Sequence, residues 1–269
     1  MPASPSRWMK RTVLGLATVA TLGAVGAANA DAFSDYEKNI QAFAEQAQTG
    51  QALPRFSDKN TAALIRQLTD QKRVLDRIDF NNDLVSMRAM QGPCATANQL
   101  LLTYLSHGVD LSDSNRDQVM EGLNKNGQIY QDEVSAIQSF SLSCMSHVMP
   151  TMVRYFQTSS PAPQDMSEEQ RTGIVLFRKS IVQSLTGTLT AVQDPSVKPA
   201  NREMLLKSML TAMPNIARVL PLDTRGQLKA AVDEAKANIP VNQHHYIDKI
   251  NRALTNAPCQ KVCQIVITP

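Results

Sequence analysis

Apolar side chains recur every three or four positions along most of the chain, and proline or glycine interrupts the recurrence at short intervals. That spacing gathers apolar residues on one side of an α-helix, whereas a half-buried strand needs strict alternation. Phe33, Tyr36, Ile40, Phe43, Ala44 and Ala47 form the first stripe, which Gly50 and Pro54 end. Asn60 caps a second helix carrying Leu64, Ile65, Leu68, Leu75 and Ile78; it runs on through Leu84 and Val85 towards Met90, with a weak point at Asn81-Asn82. Gly92-Pro93 breaks the pattern, and Pro93 suits the start of a helix lined by Leu101, Tyr104 and Leu105 and ended by Gly108. A short helix after Ser112 or Ser114 stops near Gly122. Another starts after Gly127, carries Val134, Ile137, Phe140, Cys144 and Val148, and ends or kinks at Pro150.

Ser167 and Gln170 have the spacing of a capping box. The helix they open holds Ile174, Phe177, Ile181, Leu185, Leu189 and Val192, and Asp194-Pro195 stops it. Helices over 200–213, 215–220, 223–238 and 242–255 follow, punctuated by Pro214, Pro221 and Pro240. Only Ile265-Val266-Ile267-Thr268 reads as extended, and it has no clear strand partner. The prediction is an all-α fold, an irregular bundle of about eight or nine helices with a short extended C-terminal tail. Strands and helices do not alternate, which disfavours an α/β enzyme fold, and no repeat of fixed period supports a solenoid. Residues 31–269 are read as one all-α domain; if it divides, it divides at the loop over 158–166.

The first thirty residues stand apart. Arg7, Lys10 and Arg11 are their only charges, Val13 to Ala28 are uncharged, and Ala28-Asn29-Ala30 is a small-x-small site. This layout predicts a secretory leader over 1–30, cut before Asp31 and bacterial in style. The sixteen-residue apolar stretch is short for an anchor, and no cysteine follows it to carry a lipid. The expected destination is the periplasm, with secretion to the outside as the alternative. Taking three cations from 27 leaves 24 bases against 24 acids, so the remaining residues are formally neutral. Nucleic-acid binding driven by bulk charge is therefore not expected, nor is a stable membrane span once the leader is removed. The leader also contains the only tryptophan, Trp8.

Four cysteines, Cys94, Cys144, Cys259 and Cys263, all follow the leader. An even number in an exported chain reads as two disulfides, and four cysteines permit three pairings. The preferred pairing is Cys94–Cys144 with Cys259–Cys263. In Cys-x-x-x-Cys, one helical turn brings both side chains to one face, and Pro258 suits the start of such a turn.

The search for chemistry is mostly negative. Phosphate-loop, dinucleotide, zincin and nucleophile-elbow patterns are all missing, and there is no Cys-x-x-Cys. No catalytic residue and no cofactor is assigned. Asp76, Asp79 and Asp83 fall on one helical face among Arg73 and Arg77, the pattern of an exposed ion-paired surface. Gly122 to Glu133 resembles a calcium loop at Asn124, Asn126, Gly127, Ile129 and Glu133 but lacks the first carboxylate; a helix–helix turn is the preferred reading. Cys144, Met145, His147, Met149 and Met152, with Met87, Met90 and Cys94 upstream, are the donor types that suit copper(I). Core packing plus a disulfide explains them better. His244 and His245 lie upstream of Cys259 and Cys263, but adjacent side chains on a helix diverge, so a tail disulfide is preferred to a metal pair. His107, just before Gly108, suits a helix C-terminus.

These readings lead to an expectation of an exported, periplasmic, non-catalytic protein that binds another protein: an accessory, inhibitor, immunity or chaperone-like factor of the bacterial envelope. Copper(I) handling around Met145, His147 and Met149 is the first alternative. A helical envelope hydrolase without a local motif is the second.

Overall fold

A computed structural model describes residues 27–49, 52–158, 162–259 and 261–265. The first 26 residues of the expected leader, part of the 158–166 loop and residues 266–268 of the extended stretch lie outside the described residues. The fold is all-α, with no strand among the described residues. Among the described residues, no helix is long and apolar enough to cross a membrane.

Helix α1, Ala27–Thr49, runs through the expected cleavage position and buries Phe33, Tyr36 and Phe43. The 60–90 segment is cut more finely than its periodicity suggests, into α2 (Ala62–Thr69), α3 (Gln71–Val74) and α4 (Asp83–Ala89). Short polar side chains make the cuts. Asp70 accepts from Arg73 N at 3.2 Å, and Asn82 accepts from Leu84 N and Val85 N at 3.0 and 3.3 Å. Each such cap opens a new helix rather than continuing the old one.

Gly92-Pro93 does not break the chain as its composition suggests. Met90–Cys94 forms one wide π-helical turn with Pro93 inside, leading directly into α5, Ala95–Leu105. A widened turn is a known accommodation for a residue that cannot serve the regular ladder. After α5 the chain turns through Gly108, whose φ of 71° is the left-handed conformation that glycine adopts at no steric cost.

Helix α6, Arg116–Ile129, starts from an Asn115 cap and passes through both Gly122 and Gly127. Gly122 is not a stop: a Cβ there would lie 2.9 Å from the Val109 side chain, so glycine allows the Val109 loop to approach α6 closely. Helix α7, Gln131–Thr158, continues past Pro150. A proline inside a helix leaves the carbonyl four residues back without its donor. Here that carbonyl is Ser146 O, and Asn215 Nδ2 donates to it at 3.0 Å. Helix α8, Glu168–Gln193, opens with the predicted Ser167–Gln170 capping box. Helix α9, Pro199–Ala217, likewise passes through Pro214, so the expected division at 214 is not made. Pro214 lies on the exposed side while Ala212, Met213 and Ile216 are fully buried, so packing holds the helix together. Helices α10 (Leu222–Ala237) and α11 (His244–Asn256) complete the described fold, followed by a 3-10 turn, Lys261–Gln264.

Two large apolar cores form beside a small cluster of Phe33, Ile78, Val85 and Ala89, and α7 serves both large ones. Its Ile137, Phe140 and Cys144 join Tyr36, Phe43, Ile65, Leu68, Leu75 and Tyr104 in the N-terminal core. Its Leu142, Met149, Val153 and Phe156 join residues of α8 to α11 in the C-terminal core. The expected stripe on α8 faces inward, with Ile174, Ile181, Leu185, Leu189 and Val192 buried and Phe177 half-buried against the same core.

Candidate functional site

Both preferred cysteine pairs form. Cys94 of the π-turn bonds to Cys144 of α7, and Cys259 bonds to Cys263 around the final 3-10 turn, each with Cα atoms 5.5 Å apart. No described thiol is free.

The soft-donor cluster does not converge. Met145, Met149 and Met152, spaced four and three apart on α7, pack into the C-terminal core. His147 lies on another side of the helix, with its Nδ1 2.8 Å from Ser143 O and its ring 4.9 Å from that of Phe80. Met87 is exposed and Met90 half-buried on the α4 side. Cys94 and Cys144 are spent on their disulfide.

The calcium-like segment is no loop. Residues 122–129 are helical, and Asn126 is a buried clamp whose Nδ2 donates to Leu105 O and His107 O, both at 2.8 Å. Glu133, buried at the start of α7, accepts from Phe56 N at 2.6 Å. Both side chains hold backbone, as a structural turn requires. Asp76 and Asp79 lie outside regular helix, so the expected single ion-paired face does not form. Instead Arg77 pairs with Asp35 of α1 at 3.3 Å, and Asp83 pairs with Arg154 of α7 at 3.0 Å. His107 packs edge-on against Tyr130, while His244 and His245 contact the carbonyls of Ile239 and Asn242. Among the described residues, no three His, Cys, Asp or Glu side chains gather to hold a metal ion.

What the motifs do not mark lies on either side of α8. On one side, the last turns of α7 and the first turns of α8 leave an apolar groove of about 180 Å³. Met152, Phe156, Ile174 and Phe177 form its walls, and Tyr155, 49% exposed, stands on its edge. The groove is open at Gly173, where an added Cβ would meet nothing within 4 Å. Leu176, three residues on, is 60% exposed. Asp165, Glu168 and Glu169 are exposed at this end of α8, with Arg171 the one cation among them, so the start of the helix is acidic.

On the other side, a larger cleft of about 580 Å³ lies between α8, the start of α10 and the Cys259–Cys263 turn. Val175, Val182, Leu222 and Ile265 supply apolar wall, and Lys179, Gln183, Asp223 and Thr224 supply the polar groups. Arg178, buried, forms part of the lining. Its Nε donates to Val219 O at 3.0 Å, its Nη1 to Ile265 O at 2.6 Å, and its Nη2 to Val262 O. Burial pulls this guanidinium down to about 10, and the nearby Asp223 charge works the other way. Among the described residues, no Ser, His or free thiol lines this cleft; its two cysteines are oxidised.

Sequence reasoning missed Arg178, although a signal exists. It occupies the buried stripe Ile174–Arg178–Ile181–Leu185, where a charge has no place unless something holds it. Arg202 and Arg225 are buried in the same way, and both donate only to carbonyls: Val192, Asp194 and Val197 for Arg202; Leu220, Ala257 and Pro258 for Arg225. No protein-family model, curated protein or solved structure matches this chain.

Proposed function

We propose that this chain is an exported protein of the bacterial envelope that acts without catalysis of its own, by binding a basic amphipathic helix of another protein in the groove between α7 and α8. The open apolar groove beside an acidic helix end carries this reading. A partner helix would lay two or three apolar side chains against Phe156, Ile174 and Phe177, the usual mode of helix-in-groove recognition. Its lysines or arginines would face Asp165, Glu168 and Glu169, which set orientation and speed encounter. Exposed Tyr155 and Leu176 extend the apolar contact, as residues at a binding surface do. The leader-like N-terminus and two disulfides support export into an oxidising compartment.

Gly173→Trp tests the docking directly, because the space at Gly173 is open and the indole would fill the groove. Gly187→Trp, on an exposed part of the same helix with equal room, is the control. The probe is a synthetic helical peptide of leucine and lysine patterned at helical spacing, with a leucine–glutamate peptide as the opposite charge. Wild type and Gly187→Trp should bind the lysine peptide at least tenfold more tightly than Gly173→Trp does. Equal binding by Gly173→Trp, or preference for the glutamate peptide, would remove the reading. Export is tested separately: protein from the periplasmic fraction should begin at Asp31 on N-terminal sequencing.

A further inference from the structure

The cleft on the far side of α8 is distinct from the groove and has a different chemistry. Its size falls within the range of roughly 300–1,000 Å³ in which small-molecule sites occur. Its apolar wall comes from three separate elements: Val175 and Val182 from α8, Leu222 from α10, and Ile265 after the last 3-10 turn. Among the described residues, its charged lining is Arg178, Lys179 and Asp223, an excess of one positive charge. Arg178 is fixed in place by its three carbonyl acceptors, which use three of the five N–H donors of a guanidinium. It has no carboxylate at hydrogen-bonding distance among the described residues, while Lys179 is exposed and also lines the cleft.

A buried cation hydrogen-bonded only to neutral carbonyls, with Asp223 nearby as its one opposing charge, stands beside a second cation, Lys179, so the cleft keeps a positive excess. A ligand that brings one negative charge and covers the apolar wall would satisfy both features at once. We propose that this cleft binds an aliphatic carboxylate: the chain lies along Val175, Val182, Leu222 and Ile265, and the carboxylate sits between Arg178 and Lys179. A single carboxylate matches an excess of one charge, whereas an amine of the same chain would meet two cations. Asp223 opposes the carboxylate at the α10 end and so directs it towards Lys179 rather than towards the helix terminus.

The test uses decanoate, decan-1-ol and decylamine, followed by methyl NMR of the purified protein. Decanoate should shift the methyl signals of Val175, Val182, Leu222 and Ile265 and bind at least tenfold more tightly than decylamine. Lys179→Glu should weaken decanoate about tenfold and leave decanol unchanged. Val175→Trp should abolish binding of both. Arg178 itself is left intact in these variants, because the fold depends on it. Decylamine binding as well as decanoate, Lys179→Glu binding decanoate like wild type, or methyl shifts confined to other residues would each overturn the proposal. So would a rise of more than tenfold in decanoate affinity on removing residues 266–269, since the apolar residues that follow Ile265 would then be the resident occupant. Gly173→Trp should bind decanoate normally, so failure of the groove and failure of the cleft can be told apart.

Discussion

The two cores share α7 but meet the same physical demand with opposite chemistry. Every helix end leaves up to four backbone groups without partners. Apart from α1, the N-terminal half is built from shorter helices and has many such ends. It opens them with side-chain acceptors: Asp70, Asn82 and Asn115 each take backbone N–H groups at a helix start. The C-terminal half is built from long helices, of 26, 19 and 16 residues in α8 to α10, and closes ends with buried donors. Arg202 takes the carbonyls that finish α8, and Arg225 takes those after α9 and α11. A cation at a helix C-terminus is favoured by the dipole as well as by the hydrogen bonds. The division is not complete: the capping box at Ser167, Asp223 and Gln131 accept backbone N–H groups at the starts of α8, α10 and α9, and Asn126 closes α5 with a buried donor in the other half.

The cores differ to match. Tyr36, Phe43, Tyr104, Tyr130 and Phe140 dominate the N-terminal one, and the phenols need acceptors when buried. Tyr104 donates to Pro54 O at 2.6 Å and Tyr36 to Pro93 O at 3.4 Å, so both aromatic anchors also hold loops. Desolvation raises both phenols well above their usual range; for Tyr104, the Glu133 and Tyr130 charges add to this while Arg55 opposes it. Leucine, isoleucine, valine and methionine dominate the other core, which needs no such partners. The difference implies that the N-terminal half depends on its covalent tie and the C-terminal half on its arginines.

Removing the Cys94–Cys144 bond is the strongest test of the first clause. The bond joins residues 50 apart, and loop-closure entropy assigns it about 4 kcal/mol. The double variant Cys94→Ala/Cys144→Ala should lose about that much in urea denaturation, with amide exchange rising first in α2 to α5. Equal loosening of α8 to α11 would show that the halves are one cooperative unit. Arg178→Met tests the second clause. It strands three carbonyls, those of Val219, Val262 and Ile265, and should cost about 3 kcal/mol. The amides around Tyr104 should stay protected. The Cys259–Cys263 bond is the weaker covalent tie, since its five-residue loop is worth about 2 kcal/mol. Cys259→Ala/Cys263→Ala should loosen residues 261–265 and lower stability less than Arg178→Met; a larger loss would mean that the disulfide, not the arginine, anchors the tail.

Much of this fold is legible as a one-dimensional pattern, and the rest is not, for a definite reason. The stripe from Ile174 to Val192 is inward where its 3.6 period places it, and the cysteines form the two preferred pairs. Pro150 misleads because the cost of a proline depends on who takes the freed carbonyl. Asn215, 69 residues from Ser146, takes it, and no local pattern announces that. Gly122 misleads because its close neighbour, Val109, comes from a loop outside α6. The groove and the cleft are harder still. Their walls come from α7 and α8, or from α8, α10 and the tail, so they exist only after packing. Arg178, Arg202 and Arg225 were the available clue: Arg178 interrupts an apolar stripe, Arg202 and Arg225 stand at the head of one, and each marks a place where backbone carbonyls converge.

The smallest effect belongs to the contact that joins the two halves. Asp132, in the first turn of α7, accepts from Lys198 Nζ at 2.6 Å and from Asn201 Nδ2 at 2.8 Å, tying α7 to the start of α9. Partial burial pushes its carboxyl up, but hydrogen bonds from Lys198 and Asn201 outweigh that and hold it below the usual carboxylate value of 3.8. The unfolded chain therefore binds this proton more readily than the folded one. The contact's contribution is present above the ordinary carboxylate range and is lost as pH falls through the lowered value. Asp132→Asn should remove that part of the acid sensitivity and cost little at neutral pH, because the pair is largely solvated. Urea midpoints measured from neutral pH down to about pH 3 should converge for variant and wild type at the acid end. If the variant instead stays less stable by the same margin throughout, then Asp132 acts through its shape and not its charge. The tie between the halves would then be the Gln131–Asn201 and Gln131–Ser196 hydrogen bonds, which do not titrate.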